Sequence, residues 1–356
     1  MTRRLYRFPV LLALALAILA GDAQAGPLAE RLKERLQQRA QRQEADGADR
    51  EDLADLGAGG SALSCAEWSR KVERLQSLSQ RRNAGPAPDL ADVTYGSGQL
   101  EKLDVFMPKR AGREAAPIIM MVHGGGWCVG DKGAASVTGN KVARWVPKGF
   151  VFVSVNYPMV ADGADALAQA GYVAKAAAFV QANARNWGGD PARLILMGHS
   201  AGAHLVSLVN ADAELRQANG MRAVLGTVSL DAGAIDVVTQ MPRVYPFLRM
   251  RYREAFGDAE AGWIAASPFH RLDRKAAPWL GVCSALRKDD PCGQARAYAE
   301  KSKGLGLRAD VLPERLAHGA INQQLGLPGE YTTQMEAFMA ALDPVVARLL
   351  TEDRRP

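Results

Sequence analysis

The sequence predicts an α/β protein built on a doubly wound, mostly parallel sheet. Three observations carry that prediction. From about residue 90 onward, short apolar runs alternate with longer helical stretches, the order that parallel strands joined by crossover helices require. Two of those runs, residues 117–122 (Pro-Ile-Ile-Met-Met-Val) and 150–155 (Phe-Val-Phe-Val-Ser-Val), are apolar almost throughout. Strands covered on both faces read that way, whereas half-solvated strands alternate. The stretch 167–187 is long and Ala-rich, which suits a helix laid across the sheet.

The elements follow in order. Residues 93–95 and 103–106 read as a leading hairpin, 117–122 as a buried strand, and 142–146 as part of a helix. Strand 150–155 and helix 167–187 come next, then strand 194–197, helix 200–210 and strand 223–230. Further strands fall at 279–283 and 309–312, and a closing helix at 331–350. Residues 235–267 fit this alternation poorly. They are rich in Met, Tyr, Pro and Arg, and are expected to form a small cap inserted in the main domain, which spans residues 90–356.

Bulk composition agrees with one large domain plus extensions. The chain has 356 residues, of which 48% are hydrophobic and 23% charged, ordinary values for a chain with a sizeable core. Aromatics are only 6%, which argues against a stacking surface for sugars or single strands. The net charge is +6. Arg3, Arg4 and Arg7 against Asp22 contribute +2 of it from the first 25 residues, and taking that away leaves +4. So small and dispersed an excess does not suggest a nucleic-acid partner.

Residues 1–25 read as a secretory signal peptide. A basic start precedes an apolar run at 10–20, too short to span a bilayer, and Ala23-Gln24-Ala25 supplies small residues for cleavage after Ala25. The alternative is an uncleaved anchor. Cleavage implies a periplasmic or secreted protein with no stable membrane insertion afterwards. Residues 26–89 form a separate extension, helical or partly disordered. Leu28, Leu32 and Leu36 recur every four residues among charges, the stretch turns acidic over 46–55, and Ala58-Gly59-Gly60-Ser61 breaks it. Residues 62–82, carrying Cys65 and Trp68, are a second helical segment.

The chemistry centres on Gly198-His199-Ser200-Ala201-Gly202. The pattern G-x-S-x-G is common by chance, but here a strand ends directly before it and a helix starts directly after it. A serine on such a sharp strand-to-helix turn, the nucleophile elbow of α/β hydrolases, has its hydroxyl exposed at the helix N-terminus, where the helix dipole favours negative charge. A second motif, His123-Gly124-Gly125-Gly126-Trp127, also follows a buried strand. Consecutive glycines there let backbone N–H groups face a developing oxyanion. The expected donors are Gly125, Gly126 and Ala201.

The base follows by elimination among five histidines. In this fold the chain order is serine, acid, histidine. His123 and His199 precede Ser200, His204 lies one turn into the following helix, and His270 precedes the strand expected to carry the acid. His318, in a loop after the last strand, remains. The acid is expected after strand 279–283, in Ser284-Ala285-Leu286-Arg287-Lys288-Asp289-Asp290-Pro291-Cys292, where Asp289 and Asp290 are both candidates. Asp231, after the preceding strand, is a third. Cys283 and Cys292 bracket this loop, and in an oxidising compartment they are expected to pair, which in loop models stabilises by roughly 2–4 kcal/mol. Cys128 with Cys65 would then tie the extension to the core.

These residues together resemble a known group. The run Gly198-His199-Ser200-Ala201-Gly202-Ala203-His204-Leu205 is similar to the elbow of kynurenine formamidase-like and bacterial feruloyl/acetyl esterase-like α/β hydrolases. Asp92-Val93-Thr94-Tyr95-Gly96 with Leu103-Asp104-Val105-Phe106-Met107-Pro108 looks like the group's opening hairpin. His123 to Trp127, with Gly130-Asp131-Lys132, looks like its oxyanion loop, and Asn156-Tyr157 ends the next strand similarly. The resemblance spans about residues 90–350 and implies Ser200 as nucleophile, His318 as base, and Gly125, Gly126 and Ala201 as oxyanion donors. The acid loop departs from the group's Gly-x-x-Asp-x-x-Val form, so Asp289 and Asp290 stay open, and Pro158 stands where an arginine is frequent.

The function expected is hydrolysis of a small-molecule carboxylic ester through an acyl-enzyme, with no metal and no organic cofactor. There is no His-Glu-x-x-His, and the glycine run does not form a dinucleotide fingerprint. Two other readings stand beside it: an amide or formamide hydrolase of the kynurenine formamidase type, and a non-catalytic binding module on a hydrolase scaffold. The sequence leaves the oligomeric state open.

Overall fold

The computed structural model describes residues 63–79, 85–109 and 114–351, all within the unit Ala48–Pro356. The leader, its cleavage position and the amphipathic stretch 28–56 lie outside the described residues.

Eight strands make one sheet: β1 (Leu90–Thr94), β2 (Lys102–Phe106), β3 (Ala116–Val122), β4 (Val151–Val155), β5 (Gly189–His199), β6 (Gly226–Leu230), β7 (Trp279–Ser284) and β8 (Ala309–Glu314). Their order is β1-β2-β4-β3-β5-β6-β7-β8. The first two run antiparallel, as a hairpin docked on β4, and every pair from β4 to β8 is parallel. The fold is therefore the doubly wound, mostly parallel α/β sheet. All seven residues of β3 and all five of β4 and β6 are buried, which explains the apolar runs of β3 and β4.

Helices cover both faces. On one side α3 (Ala166–Asn183) and α4 (Ala201–Ala211) flank the strands, while α1 (Cys65–Ser79) packs against the turn Val160–Asp162 and the helix Arg249–Phe256. Asp165 caps α3 by accepting from Ala168 N–H at 2.8 Å, and the buried alanines 166, 170, 174 and 177 let it lie close to the sheet. The other side carries α2 (Ala135–Trp145), α8 (Glu330–Ala340) and α9 (Pro344–Thr351), packed over Ile119, Met121, Ile195 and Val228. The expected closing helix at 331–350 is thus two helices. Pro344 lacks the N–H needed to continue α8, and Asp343 starts α9 by accepting from Val345 N–H at 2.7 Å. Residues 235–267 form several short helices, the longest being α5 (Arg249–Phe256). Helix α6 (Pro291–Gly304) fills the β7–β8 crossover, and α7 (His318–Gln324) follows β8.

Candidate active site

The register of the sheet places the candidate residues at the carboxyl ends of its central strands, where ligands of open α/β folds sit. Strand β5 pairs with β3 on one side and β6 on the other, so the ends of these three strands lie side by side. Ser200 follows β5, the His123 to Trp127 loop follows β3, and Asp231 follows β6.

Ser200 holds the backbone of an elbow, with φ 56° and ψ −118°. A non-glycine residue there is strained by about 1–3 kcal/mol and persists only when its surroundings enforce it. The enforcement is visible. Ser200 N–H donates to Leu230 O at 3.0 Å, and Gly233 N–H donates to Ser200 O at 3.0 Å. Close packing does the rest: a Cβ on Gly202 would lie 2.2 Å from Val122 O and 2.4 Å from His123 O. Only glycine lets α4 approach β3 so closely.

The His123 to Trp127 glycine loop lies directly against the elbow, because a Cβ on Gly124 would stand 2.9 Å from Ser200 Cβ. Gly125 and Gly126 have φ of 117° and 60°, and Trp127 follows at 62°. Three successive positive φ values turn the chain so that the Gly125 carbonyl accepts from Cys128 and Val129 N–H. Among the described residues, no acceptor meets the N–H groups of Gly125 and Gly126. Ala201 is the first residue of α4, where helical N–H groups lack intrahelical partners. Tyr157 fixes the loop's start by donating to His123 O at 2.8 Å and stacking on the His123 ring. The disulfide Cys65–Cys128 ties α1 to the loop's far end.

His318 begins α7 rather than sitting in a loop. That short helix is held at its carbonyl end by α2: Asn140 donates to Gln323 O at 2.5 Å and Lys141 Nζ to Asn322 O at 2.6 Å. Burial without an anionic partner drops Lys141 to about 7. The His318 ring tilts against His199, the residue before Ser200, at 4.6 Å between centroids. His199 Nε2 bonds the His318 carbonyl at 3.0 Å.

The acid expected after β7 is corrected by the geometry. His318 Nδ1 lies 2.6 Å from Asp231 Oδ2, at the end of β6. Asp289 instead chelates Arg287, with Nη2 2.5 Å from Oδ2 and Nε 3.0 Å from Oδ1, and accepts from Gln240 at 3.0 Å. Asp290 caps α6 through Gly293 N–H at 2.9 Å, and its side chain is 53% exposed. The physical reason is local. Asp290 immediately precedes Pro291, and that pair forms a helix start. Arg287, buried in the same loop, takes Asp289 as its counter-ion.

Asp231 is fully buried, with φ 48°, and accepts three donors. Ser284 N–H reaches Oδ1 at 2.8 Å, while His318 Nδ1 and Arg287 Nη1, at 3.1 Å, share Oδ2. Burial opposes its charge, but the Arg287 guanidinium, His318 and the Ser284 N–H outweigh that and hold the carboxyl well below the usual carboxylate range. Arg287 therefore bridges Asp231 to Asp289 and stands 3.4 Å from His318 Nδ1. Cys283 and Cys292 are joined and close the loop that carries Arg287.

The other histidines have different work. His204 accepts from Trp127 Nε1 at Nδ1, at 3.2 Å, so its Nε2 donates to Ala266 O at 2.8 Å. Burial lowers it to about 4. His123 and His199 are likewise buried and pushed below the ordinary histidine range. His270 pairs with Asp236 at 3.2 Å. Among the described residues, the one tight group of metal-ligand type is Cys65, Cys128 and Glu254, and its two thiols are spent in a disulfide.

A strained serine between a parallel strand and a helix, a glycine loop against it and a histidine–carboxylate pair beside it define the α/β-hydrolase class. Comparison with known proteins agrees. The family model BD-FAE matches residues 103–277. Esterase LipQ of Mycobacterium tuberculosis is 28% identical over 260 residues, 67% of this chain and 60% of that protein. Kynurenine formamidase of Salmo salar is 32% identical over 128 residues, 36% of this chain and 40% of that protein. A truncated carbohydrate esterase from gut microbiota superposes with a TM-score of 0.58 at 21% identity, covering 72% of this chain and 99% of that one. These likenesses support a carboxylesterase-like α/β-hydrolase family for the chain, and the alignment to LipQ spans about 60% of that relative's length.

Proposed function

We propose that this protein is an exported serine hydrolase of carboxylic esters, with Ser200 as nucleophile, His318 as base and Asp231 as the acid. The observation that carries this reading is the 2.6 Å contact of His318 Nδ1 with a fully buried, ionised Asp231, beside a serine held in elbow geometry. An ionised carboxylate at Nδ1 keeps the proton there and makes Nε2 the accepting nitrogen. His318 Nε2 takes the Ser200 hydroxyl proton as Oγ attacks the ester carbonyl. The oxyanion that forms meets the N–H groups of Gly125, Gly126 and Ala201. His318 then returns the proton to the leaving alcohol, and water repeats the sequence to release the acid. Asp231 stabilises the imidazolium in both halves.

Export is supported by the two disulfides, which leave no free cysteine, and by the basic, apolar and small-residue leader at 1–25. Edman sequencing of protein from the periplasm or medium should begin at Gly26. Purified protein should hydrolyse p-nitrophenyl acetate, and Ser200→Ala should abolish that hydrolysis. Full activity in Ser200→Ala would sink the assignment.

A further inference from the structure

The cap carries a charge that ester hydrolysis alone leaves unused. Residues 241–256 hold four arginines, Arg243, Arg249, Arg251 and Arg253, against one acid, Glu254. Arg243 and Arg253 are exposed and face Asp290 and Asp258. Arg251 differs from them: it is only 3% exposed. Its Nε is buried with no partner, and among the described residues no hydrogen bond or ion pair reaches its guanidinium. Glu254, one turn along α5, accepts from Cys65 N–H at 2.6 Å and acts on Arg251 only as a nearby charge, with no hydrogen bond to it. Burial accordingly pulls Arg251 below the ordinary arginine range.

What the guanidinium does have is a ring. Its Cζ lies 4.5 Å from the centre of Trp68, on α1. Such a contact contributes about 1–2 kcal/mol, while burying a cation without an acceptor costs several. Stacking also covers a guanidinium's face and leaves its in-plane N–H groups as donors, the fork that matches a carboxylate.

The location gives this purpose. The Arg251 stem passes Gly126, with Cδ 3.8 Å from the position a Gly126 Cβ would take. Nothing else lies within 4 Å of that position. Tyr252 and Phe256, on the same helix, pack edge-on against Trp127 at 4.9 and 4.7 Å. The disulfide Cys65–Cys128 anchors the helix that carries Trp68 two residues past Gly126. Arg251 is therefore fixed, from both sides, against the loop proposed to receive the oxyanion.

We propose that Arg251 is an anion subsite that binds a carboxylate carried by the substrate, so that the preferred substrates are anionic esters. This inference rests on the serine-esterase reading of Ser200. The carboxylate can belong to the acyl part, as in half-esters of dicarboxylic acids, or to the alcohol part, as in esters of hydroxy acids. The remaining cap arginines would steer such anions toward the cleft.

The test compares kcat/KM for charged and neutral esters with the full-length mature protein. Mono-p-nitrophenyl glutarate against its methyl-capped counterpart probes the acyl side, and 4-acetoxybenzoate against its methyl ester probes the alcohol side. The wild type should prefer the charged member of one pair by about tenfold or more, a charge-assisted bidentate contact being of that order. Added NaCl should erode the preference, Arg251→Gln should abolish it, and Arg251→Lys should retain part of it. Glutarate should inhibit the wild type competitively while the neutral glutaramide does not, a measurement that needs no variant to fold. Absence of any charge preference, its survival in Arg251→Gln, or absence of glutarate inhibition overturns the subsite. The two failures are separable. A wrong subsite leaves neutral-ester hydrolysis that still depends on Ser200, whereas a wrong nucleophile leaves hydrolysis that survives Ser200→Ala.

Discussion

Replacing Asp231 by asparagine changes one atom in a fully buried site. Three donors converge on the carboxylate: Ser284 N–H at 2.8 Å, His318 Nδ1 at 2.6 Å and Arg287 Nη1 at 3.1 Å. An asparagine whose oxygen stays with Ser284 N–H turns its NH2 toward His318. Nδ1 must then accept, the proton moves to Nε2, and the nitrogen meant to deprotonate Ser200 can no longer do so. The same substitution in the serine-protease template lowers kcat by about 10⁴. At 1.36 kcal/mol per decade, that is about 5.4 kcal/mol of transition-state stabilisation. We expect kcat/KM on p-nitrophenyl acetate to fall by about 10³–10⁴, with little change in KM. The controls are the two aspartates the sequence favoured. Asp290→Asn should stay within about threefold, because asparagine caps a helix as well as aspartate. Asp289→Asn should lose about tenfold, through Arg287. Initial rates should be paired with thermal melts to separate chemistry from unfolding. If Asp231→Asn retained more than a tenth of the activity while either control lost a thousandfold, the assigned acid would be wrong.

Three further outcomes follow from the same contacts. Arg287→Met removes a donor from Asp231 and strips Asp289 of its cation; breaking such a buried pair costs roughly 3–5 kcal/mol, read in urea melts, and activity should fall less than in Asp231→Asn. Gly202→Ala would set a Cβ 2.2 Å from Val122 O, so activity and melting temperature should fall together, at about 1–3 kcal/mol or more. Stability should also decline on acidification. His204, lowered from 6.5 to about 4, binds its proton more readily when unfolded, so the native state loses on the order of 3 kcal/mol as pH falls through that window. His123 and His199, shifted the same way, add to the slope. Asp231 acts lower: its depressed pKa contributes stability above the unfolded value of about 4, lost as pH falls further. Unfolding free energies at pH 7.5 and 5 should differ in that direction; a flat profile would contradict the buried neutral histidines.

The strands were legible because most of them are buried on both faces, so their apolar runs have no competing explanation. The elbow was legible because its glycines, strand and helix are consecutive in sequence. Asp231 was harder to see. It meets His318 from a left-handed turn at the end of β6, and nothing in Leu230-Asp231-Ala232-Gly233 separates a buried carboxylate from an exposed one. That neither Asp289 nor Asp290 meets His318 had a readable warning. Asp290-Pro291 is a helix-start signature, and α6 does begin there. Arg287, two residues before Asp289, likewise needed counter-ions that only the fold supplies. Lys141 was equally hidden, since a lysine on an amphipathic helix ordinarily faces water, yet this one is 1% exposed and holds the His318 helix. Arg251 owes its burial to Trp68, which lies far from it in sequence and close to it through the Cys65–Cys128 bridge.

The nucleophile is tested most directly by a fluorophosphonate probe and intact-protein mass spectrometry. The wild type should gain one adduct, and peptide mapping should place it on Ser200, with labelling blocked by a competing ester and absent in Ser200→Ala. An adduct on any other residue, or equal labelling of Ser200→Ala, would contradict the account.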